Sequence, residues 1–352
     1  MPTTTRHDVA SHYGGWLVLT IANIDPPFKI QGYVYVFDIV EKKQVCEFPV
    51  RHKGPGYGTR LALSHDEKMC FVGCYDAYGI AGYAIPDGKE VWRRKDLKSV
   101  QSVHALAAYD LVFCGRETGA AHLLHARTGE TAEKLNGVKD IYGSPFDKSV
   151  IVDGRSLEFH RPFGVKKATI KRAGRVLRQC SFSRTEVIVS ESGALRCFDL
   201  ESQELLWTHI VPEGANYVRF QSLPDQQCFV SVNAKGNPNS TIDYLAARKW
   251  NIVRAVRLPD EGYAEFCLNG TALFRGNLCL FSAETGQQLH DFTTEAILKR
   301  DPRYQHELLV SLVQKFSAPQ ELEKYMKSEG FAAERIRKAL FLLTTPNKGR
   351  GG

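Results

Sequence analysis

Apolar and polar positions along this chain recur as pairs of short strands around polar turns. The clearest copy runs from Gly193 to Trp207. Leu195, Cys197 and Phe198 lead into the turn Glu201-Ser202-Gln203, and Leu205, Leu206 and Trp207 lead out of it. Alternation of this kind, bounded by turn residues, predicts a β-hairpin. Further copies are Gly32 to Ile39 with Gln44-Val45, Gly82 to Trp92, and Asn277 to Gly286. Aligned on the residue before the turn, the hairpins fall at Phe37, Tyr83, Leu124, Phe159, Phe198, Tyr244 and Phe281, a mean spacing of about 41 residues.

A period near 40 residues with four short strands per unit predicts an all-β, seven-bladed β-propeller. The second unit displays all four strands: Arg60 to Ser64, Met69 to Cys74, Gly79 to Ile85 and Glu90 to Arg94. The turns His65 to Lys68 and Pro86-Asp87-Gly88 separate them. Most of these strands read as nearly continuous apolar runs, as strands do when both faces are covered. Val9 to Tyr13 is the expected first inner strand. Two units carry insertions, Asp25 to Gln31 and Asn233 to Ser240.

The period changes at Thr293. Arg303 to Phe316 reads as a helix, with Leu308, Leu309, Leu312 and Val313 on one face. Ser317 with Gln320 three residues on marks the start of a second helix, closed by Gly330, and Phe331 to Leu343 reads as a third. The expected organisation is a propeller over 1–294, a C-terminal α-helical appendage over 295–343 and a disordered tail over 344–352. The apolar stripe of the appendage, with Leu308, Leu312, Ile336 and Leu340, must cover either the propeller or a partner.

Composition adds compartment and partner. Hydrophobic residues are 43% and charged residues 24% of 352, as in a soluble globular protein. The apolar run Trp16 to Ala22 is too short to span a bilayer. The polar start, with Arg6, His7 and Asp8, does not read as an export signal. The nine cysteines are scattered through apolar runs without zinc spacing, which predicts free thiols in a reducing compartment. Together these features predict a cytoplasmic protein. The net charge of +7 is concentrated: Arg161 to Arg178 holds seven basic residues and no acid, a basic patch including Lys166, Lys167, Lys171, Arg172 and Arg175. An acidic partner suits it, protein or nucleic acid.

Phe37-Asp38 and Phe198-Asp199 resemble the Trp-Asp ending of WD repeats, although no Gly-His pair opens the units and five of the seven lack the aspartate. Ala84 to Trp92, and Trp207, resemble the repeats of pyrroloquinoline-quinone-type propellers. The resemblance covers about 280 residues and implies a propeller fold. Quinone-dependent members are typically exported and use calcium, so cofactor binding is not carried over to this chain, and no cofactor or metal is expected. Glu321 to Met326 with Glu329 to Lys338 is similar to the last helices of flap endonucleases. It covers some 20 residues, with no other nuclease feature, and implies no nuclease activity.

No His-Glu-x-x-His, Gly-x-Ser-x-Gly or phosphate-binding glycine loop is present, and Gly54 to Gly58 reads as a turn, so no catalytic residue is expected. Tyr57, Tyr142, Tyr217 and Tyr263 recur near the start of the inner strands, where propeller loops gather around one mouth of the channel. They are the expected partner-binding residues, because tyrosine is a rigid amphipathic contact, with Pro27 and Phe28 of the first insertion as an apolar anchor beside them. Arg60, His104, Arg178, Arg219 and Glu265 lie within inner strands and are expected to line the channel, although a one-residue slip would reverse their facing. The expected function is non-catalytic: a scaffold or adaptor that binds another protein through its loop face, with no membrane contact. Alternatives are a propeller lyase or hydrolase with its site at the channel mouth, and a nucleic-acid-associated protein acting through the basic stretches.

Overall fold

The structure is a computed structural model that describes residues 6–11, 15, 17–23, 31–51, 59–75, 78–172, 174, 177–210, 215–222, 227–234, 240–246, 252–258, 264–275, 278–292, 313–328 and 333–344; in β21 to β23 only the backbone is described. The chain divides into two compact units. One is Arg6–Phe292; the other is Thr293–Gly352 with Met1–Thr5.

The larger unit is a β-propeller, built of seven four-stranded antiparallel sheets whose strands follow chain order. Sheet one is β1 (Arg6–Ser11), β2 (Leu17–Asn23), β3 (Gln31–Asp38) and β4 (Lys43–Arg51). Sheet two is β5 (Arg60–Leu63), β6 (Met69–Gly73), β7 (Ile80–Ala84) and β8 (Glu90–Arg94). Sheet three is β9 (Val100–Leu106), β10 (Leu111–Arg116), β11 (Ala121–His125) and β12 (Thr131–Leu135). Sheet four is β13 (Asp140–Gly143), β14 (Val150–Asp153), β15 (Leu157–His160) and β16 (Lys166–Ile170). Sheet five is β17 (Leu177–Phe182), β18 (Glu186–Glu191), β19 (Ala194–Asp199) and β20 (Leu205–Ile210). Sheet six is β21 (Ala215–Ser222), β22 (Gln227–Ala234), β23 (Ser240–Ala246) and β24 (Ile252–Leu258). Sheet seven is β25 (Ala264–Cys267), β26 (Ala272–Arg275), β27 (Cys279–Ser282) and β28 (Gln288–Asp291).

First strands of neighbouring sheets touch: β1 with β5, β5 with β9, β9 with β13, β13 with β17, and β17 with β21. They are therefore the inner strands. β1 also touches β25, so the first and last sheets meet. Their aromatics pack there: Phe37 of β3 lies 5.8 Å from Phe274 and 4.9 Å from Phe292 between ring centroids. The Leu268 N–H donates to the Gly15 carbonyl at 3.1 Å across the same seam.

Side chains of one strand go alternately to the two neighbours. On β6, Cys70 and Val72 pack with Val34, Val36 and Phe48 of sheet one, while Phe71 packs with Val103 and Val112 of sheet three. Both faces of β6 are thus covered, which is why this strand reads as an unbroken apolar run. Each buried residue of this size stabilises by roughly 1.5–3 kcal/mol relative to exposure. Trp92 of β8 spans a seam directly. Its indole N–H donates to the Ala126 carbonyl at 2.9 Å, and its ring lies on Gly129, where a Cβ would sit 2.5 Å from it. Gly129 also has φ +71°, so this turn needs glycine on both counts.

In the second unit, α1 (Pro319–Ser328) and α2 (Ala333–Thr344) pack together. Leu322, Met326, Ile336 and Ala339 are buried in one cluster with Val313, and Phe316, Leu340 and Leu343 lie at its edge. The apolar stripe expected to cover the propeller or a partner is thus engaged between the helices at Ile336 and Leu340. Leu308 and Leu312, and the expected helix up to residue 312, lie outside the described residues, as does 345–352. No helix of the described residues is long and apolar enough to cross a membrane.

Candidate binding face

An antiparallel meander puts the start of its first strand, its second-to-third turn and the end of its fourth strand at one end. Register demonstrates this in sheet four: Asp140 opposes Asp153, Asp153 opposes Leu157, and Leu157 opposes Ile170. One face of the propeller therefore collects the connections between sheets together with the second-to-third turns. The two insertions belong to this face by sequence, but residues 24–30 and 235–239, and with them Pro27 and Phe28, lie outside the described residues.

Side chains and backbone tie the loops of this face down. The Val100 N–H donates to the Cys74 carbonyl at 3.2 Å and the Glu117 N–H to Ser99 at 2.9 Å. Arg116 Nε donates to the Lys98 carbonyl at 2.9 Å. The Lys139 N–H donates to the Asp153 carbonyl at 2.6 Å. Arg172 pairs with the Asp153 carboxylate and donates to the Gly154 carbonyl at 3.3 Å. Arg196 donates to the Lys171 carbonyl at 2.5 Å and pairs with Glu191 at 2.6 Å. The segment between sheets four and five is thereby held to sheet four by Arg172 and to sheet five by Arg196.

A second polar group joins the inner strands of sheets three and four. His104 Nε2 lies 2.9 Å from Asp140 Oδ1. The Tyr142 hydroxyl donates to Asp140 Oδ2 at 2.9 Å, and the His104 and Tyr142 rings are 4.8 Å apart. Burial, with Asp140 beside it, pushes the Tyr142 hydroxyl well above its usual range. Tyr142, expected to contact a partner, is instead packed between sheets with its hydroxyl engaged. His104 and Arg60, expected to line the channel, also bridge sheets, Arg60 Nε donating to the Gln101 carbonyl at 2.7 Å. The physical reason is the radial stacking of the sheets. The two faces of an inner strand meet the neighbouring sheets, and only the strand's edge meets the axis. Arg178, Tyr217, Arg219 and Glu265 lie on β17, β21 and β25, where only their backbone is described. Tyr57, Tyr263 and Arg175 lie outside the described residues.

Within the basic stretch, Lys166, Lys167 and Lys171 are exposed and Arg172 is half-buried. Lys166 is taken up by Glu158 at 2.8 Å. Glu158 also accepts from Ser156 Oγ at 2.8 Å and lies 3.1 Å from His160 Nε2. The Gly164 N–H donates to His160 Nδ1 at 3.2 Å, which leaves the ring proton on Nε2, facing the carboxylate. Lys166, then Ser156 and His160, hold the Glu158 carboxyl down at about 2. The residues that sequence reading missed here are Asp153, Glu191 and Arg196. They sit inside otherwise apolar strand pairs, and a charged residue at a core position was the available signal.

Five of the thiols are held away from nucleophilic chemistry by burial. The eight described cysteines are free; Cys228 has no described side chain. Burial pushes the thiols of Cys70 and Cys180 well up, Cys46 to about 11, and Cys114 and Cys267 to about 12. No group of three or more metal-ligating side chains converges among the described residues.

No protein-family model matches the sequence, and comparison with curated protein sequences gives no match either. Solved structures are similar in fold. The β-propeller domain of Cps50 (Swd1) from Myceliophteria thermophila has a TM-score of 0.58 at 12% identity, covering 81% of this chain and 98% of that one. The C-terminal WD40 domain of Sif2 has a TM-score of 0.54 at 14% identity, covering 76% and 77%. Dihydro-heme d1 dehydrogenase NirN in complex with DHE has a TM-score of 0.54 at 15% identity, covering 80% of this chain; the match spans 65% of NirN. At such identities the likeness establishes the fold, a β-propeller with WD40-type neighbours.

Proposed function

We propose that the seven sheets act as the blades of one closed ring and that this ring is a cytoplasmic protein-binding scaffold or adaptor. Its binding face is the one that collects the inter-sheet connections and the second-to-third turns. The observation that carries this reading is the pinning of that face: loops from sheets two to five are held by Arg116, Arg172, Arg196 and three backbone bonds. A surface ordered before contact loses little conformational freedom on binding, so more of its contact energy appears as affinity. WD40-type propellers among the structural neighbours agree with it, and the free thiols fit a reducing compartment.

The test is capture of partners from native extract by the tagged full chain at physiological salt, followed by hydrogen exchange of the isolated complex. The expected result is a stoichiometric protein partner, with added protection at 95–99, 136–139, 154–156 and 171–174. A co-purifying small molecule or metal without a protein partner overturns the reading, as does protection confined to the opposite turns.

A further inference from the structure

The face carries a cleft of about 340 Å³ between sheets three and four, lined by Asn136, Gly137, Val138, Val152, Arg155 and Glu158 among others. Around it four carboxylates have partners of their own. Asp140 is held by His104 and Tyr142, Asp153 by Arg172, Glu158 by Lys166, and Glu191 by Arg196. The cations are not matched in this way. Lys139, Arg155 and Lys171 are exposed and form no ion pair among the described residues. Arg155 lines the cleft itself, while Lys139 and Lys171 adjoin it: the Lys139 backbone N–H bonds the Asp153 carbonyl, and Lys171 precedes the arginine that pairs with Asp153.

We propose that this cleft receives an acidic segment of the partner protein, whose carboxylates meet Lys139, Arg155 and Lys171 and whose small apolar side chain rests on Val138 and Val152. The inference rests on the binding reading above and specifies its partner. Charge complementarity selects an anion, because three exposed cations that form no ion pair among the described residues attract one and suppress cationic partners. The cleft's dimensions and lining select a peptide over a nucleic acid. Polynucleotide affinity grows with the number of phosphates neutralised, and three are few. Single-strand binding also needs aromatic stacking platforms, and none of the cleft-lining residues is aromatic.

The experiment measures fluorescence anisotropy with the full-length protein and three probes: a fluorescein-labelled glutamate–valine octapeptide, its lysine–valine counterpart and an oligothymidylate of equal length. The expected result is binding of the glutamate peptide only, weakened about tenfold in the Lys139→Glu/Arg155→Glu variant and unchanged in Lys89→Glu, an exposed turn residue of the opposite face. The milder Arg155→Gln, with thermal unfolding of each variant, separates lost binding from lost folding. Absence of peptide binding, equal affinity in the double variant, or tighter binding of the oligothymidylate overturns the proposal. The native partner separates the two readings. Equal capture by wild type and double variant sinks the acidic segment and leaves the scaffold standing, whereas no captured protein sinks the scaffold itself.

Discussion

Arg196→Met is the most informative single perturbation of the loop anchoring. The guanidinium and the Glu191 carboxylate are 2.6 Å apart, with side chains 8% and 0% exposed. Removing one member of such a pair leaves the other charge buried without its counterion and costs about 3–5 kcal/mol. The lost charge-assisted bond to the Lys171 carbonyl adds about 1 kcal/mol. Methionine is close in length and still packs over Phe198, whose ring lies 5.1 Å from the guanidinium carbon, so the loss reports electrostatics more than cavity formation. At about 2 °C per kcal/mol for a domain of this size, Tm should fall by roughly 8–12 °C. Glu191→Leu/Arg196→Met should recover most of that, because two apolar residues replace the pair and no charge is stranded. Differential scanning calorimetry decides it, with hydrogen exchange at 171–174 expected to rise in the single variant. A single variant within 2 °C of wild type, or a double variant no better than the single, refutes the argument that this pair anchors the loop between sheets four and five.

Other predictions concern the pH response, the seam and the thiols. The Glu158 carboxyl drops from an ordinary 4.5 to about 2 in the folded protein. Its contribution is therefore complete above about pH 4.5 and vanishes as pH falls toward 2; solvent screening reduces it to about 1 kcal/mol. The Tm difference between wild type and Glu158→Gln should be constant from pH 7 to 5 and close steadily below that, and a difference that widens on acidification contradicts the assignment. Trp92→Ala should cost about 3–5 kcal/mol and Gly129→Ala about 2–4 kcal/mol from backbone strain and collision with the indole, both read by calorimetry; an unchanged Tm in Gly129→Ala would show that the seam relaxes freely. Native alkylation with iodoacetamide at pH 8 should be at least about tenfold slower at Cys70, Cys114, Cys197 and Cys267 than in urea, and rapid labelling of any of them would mean that its strand opens locally.

Much of the propeller was legible because its hairpins repeat both turn chemistry and apolar runs. Ser202 and Gly129 sit in third-to-fourth-strand turns of the same kind in sheets five and three, and Phe71 beside Cys70 and Val72 already implied two covered faces. The site was harder to read. Tyr142 carries the residue type expected of a contact surface, but its partner Asp140 is two residues away and His104 a whole sheet away. Only the stacking of sheets three and four decides that its hydroxyl turns inward. Arg172 illustrates the same limit. Counted along the chain it belongs to a run of positive charge, while in the fold it is paired with Asp153, two strands away at the same end of sheet four. Lys171 of that run forms no ion pair among the described residues, and neither do Lys139 and Arg155, which lie outside it. Charge patterning gives the sign of a surface, and pairing across strands decides which charges remain to act.

The central claim is that partners meet the face made by the inter-sheet connections. A photo-cross-linking amino acid at position 136 or 155 on that face, and at 87 or 128 on the opposite turns, tests it in the full-length protein with its captured partner. Cross-links from 136 and 155, with none from 87 and 128, are the predicted result. Cross-links from 87 or 128 alone would place the partner on the opposite face and contradict the account.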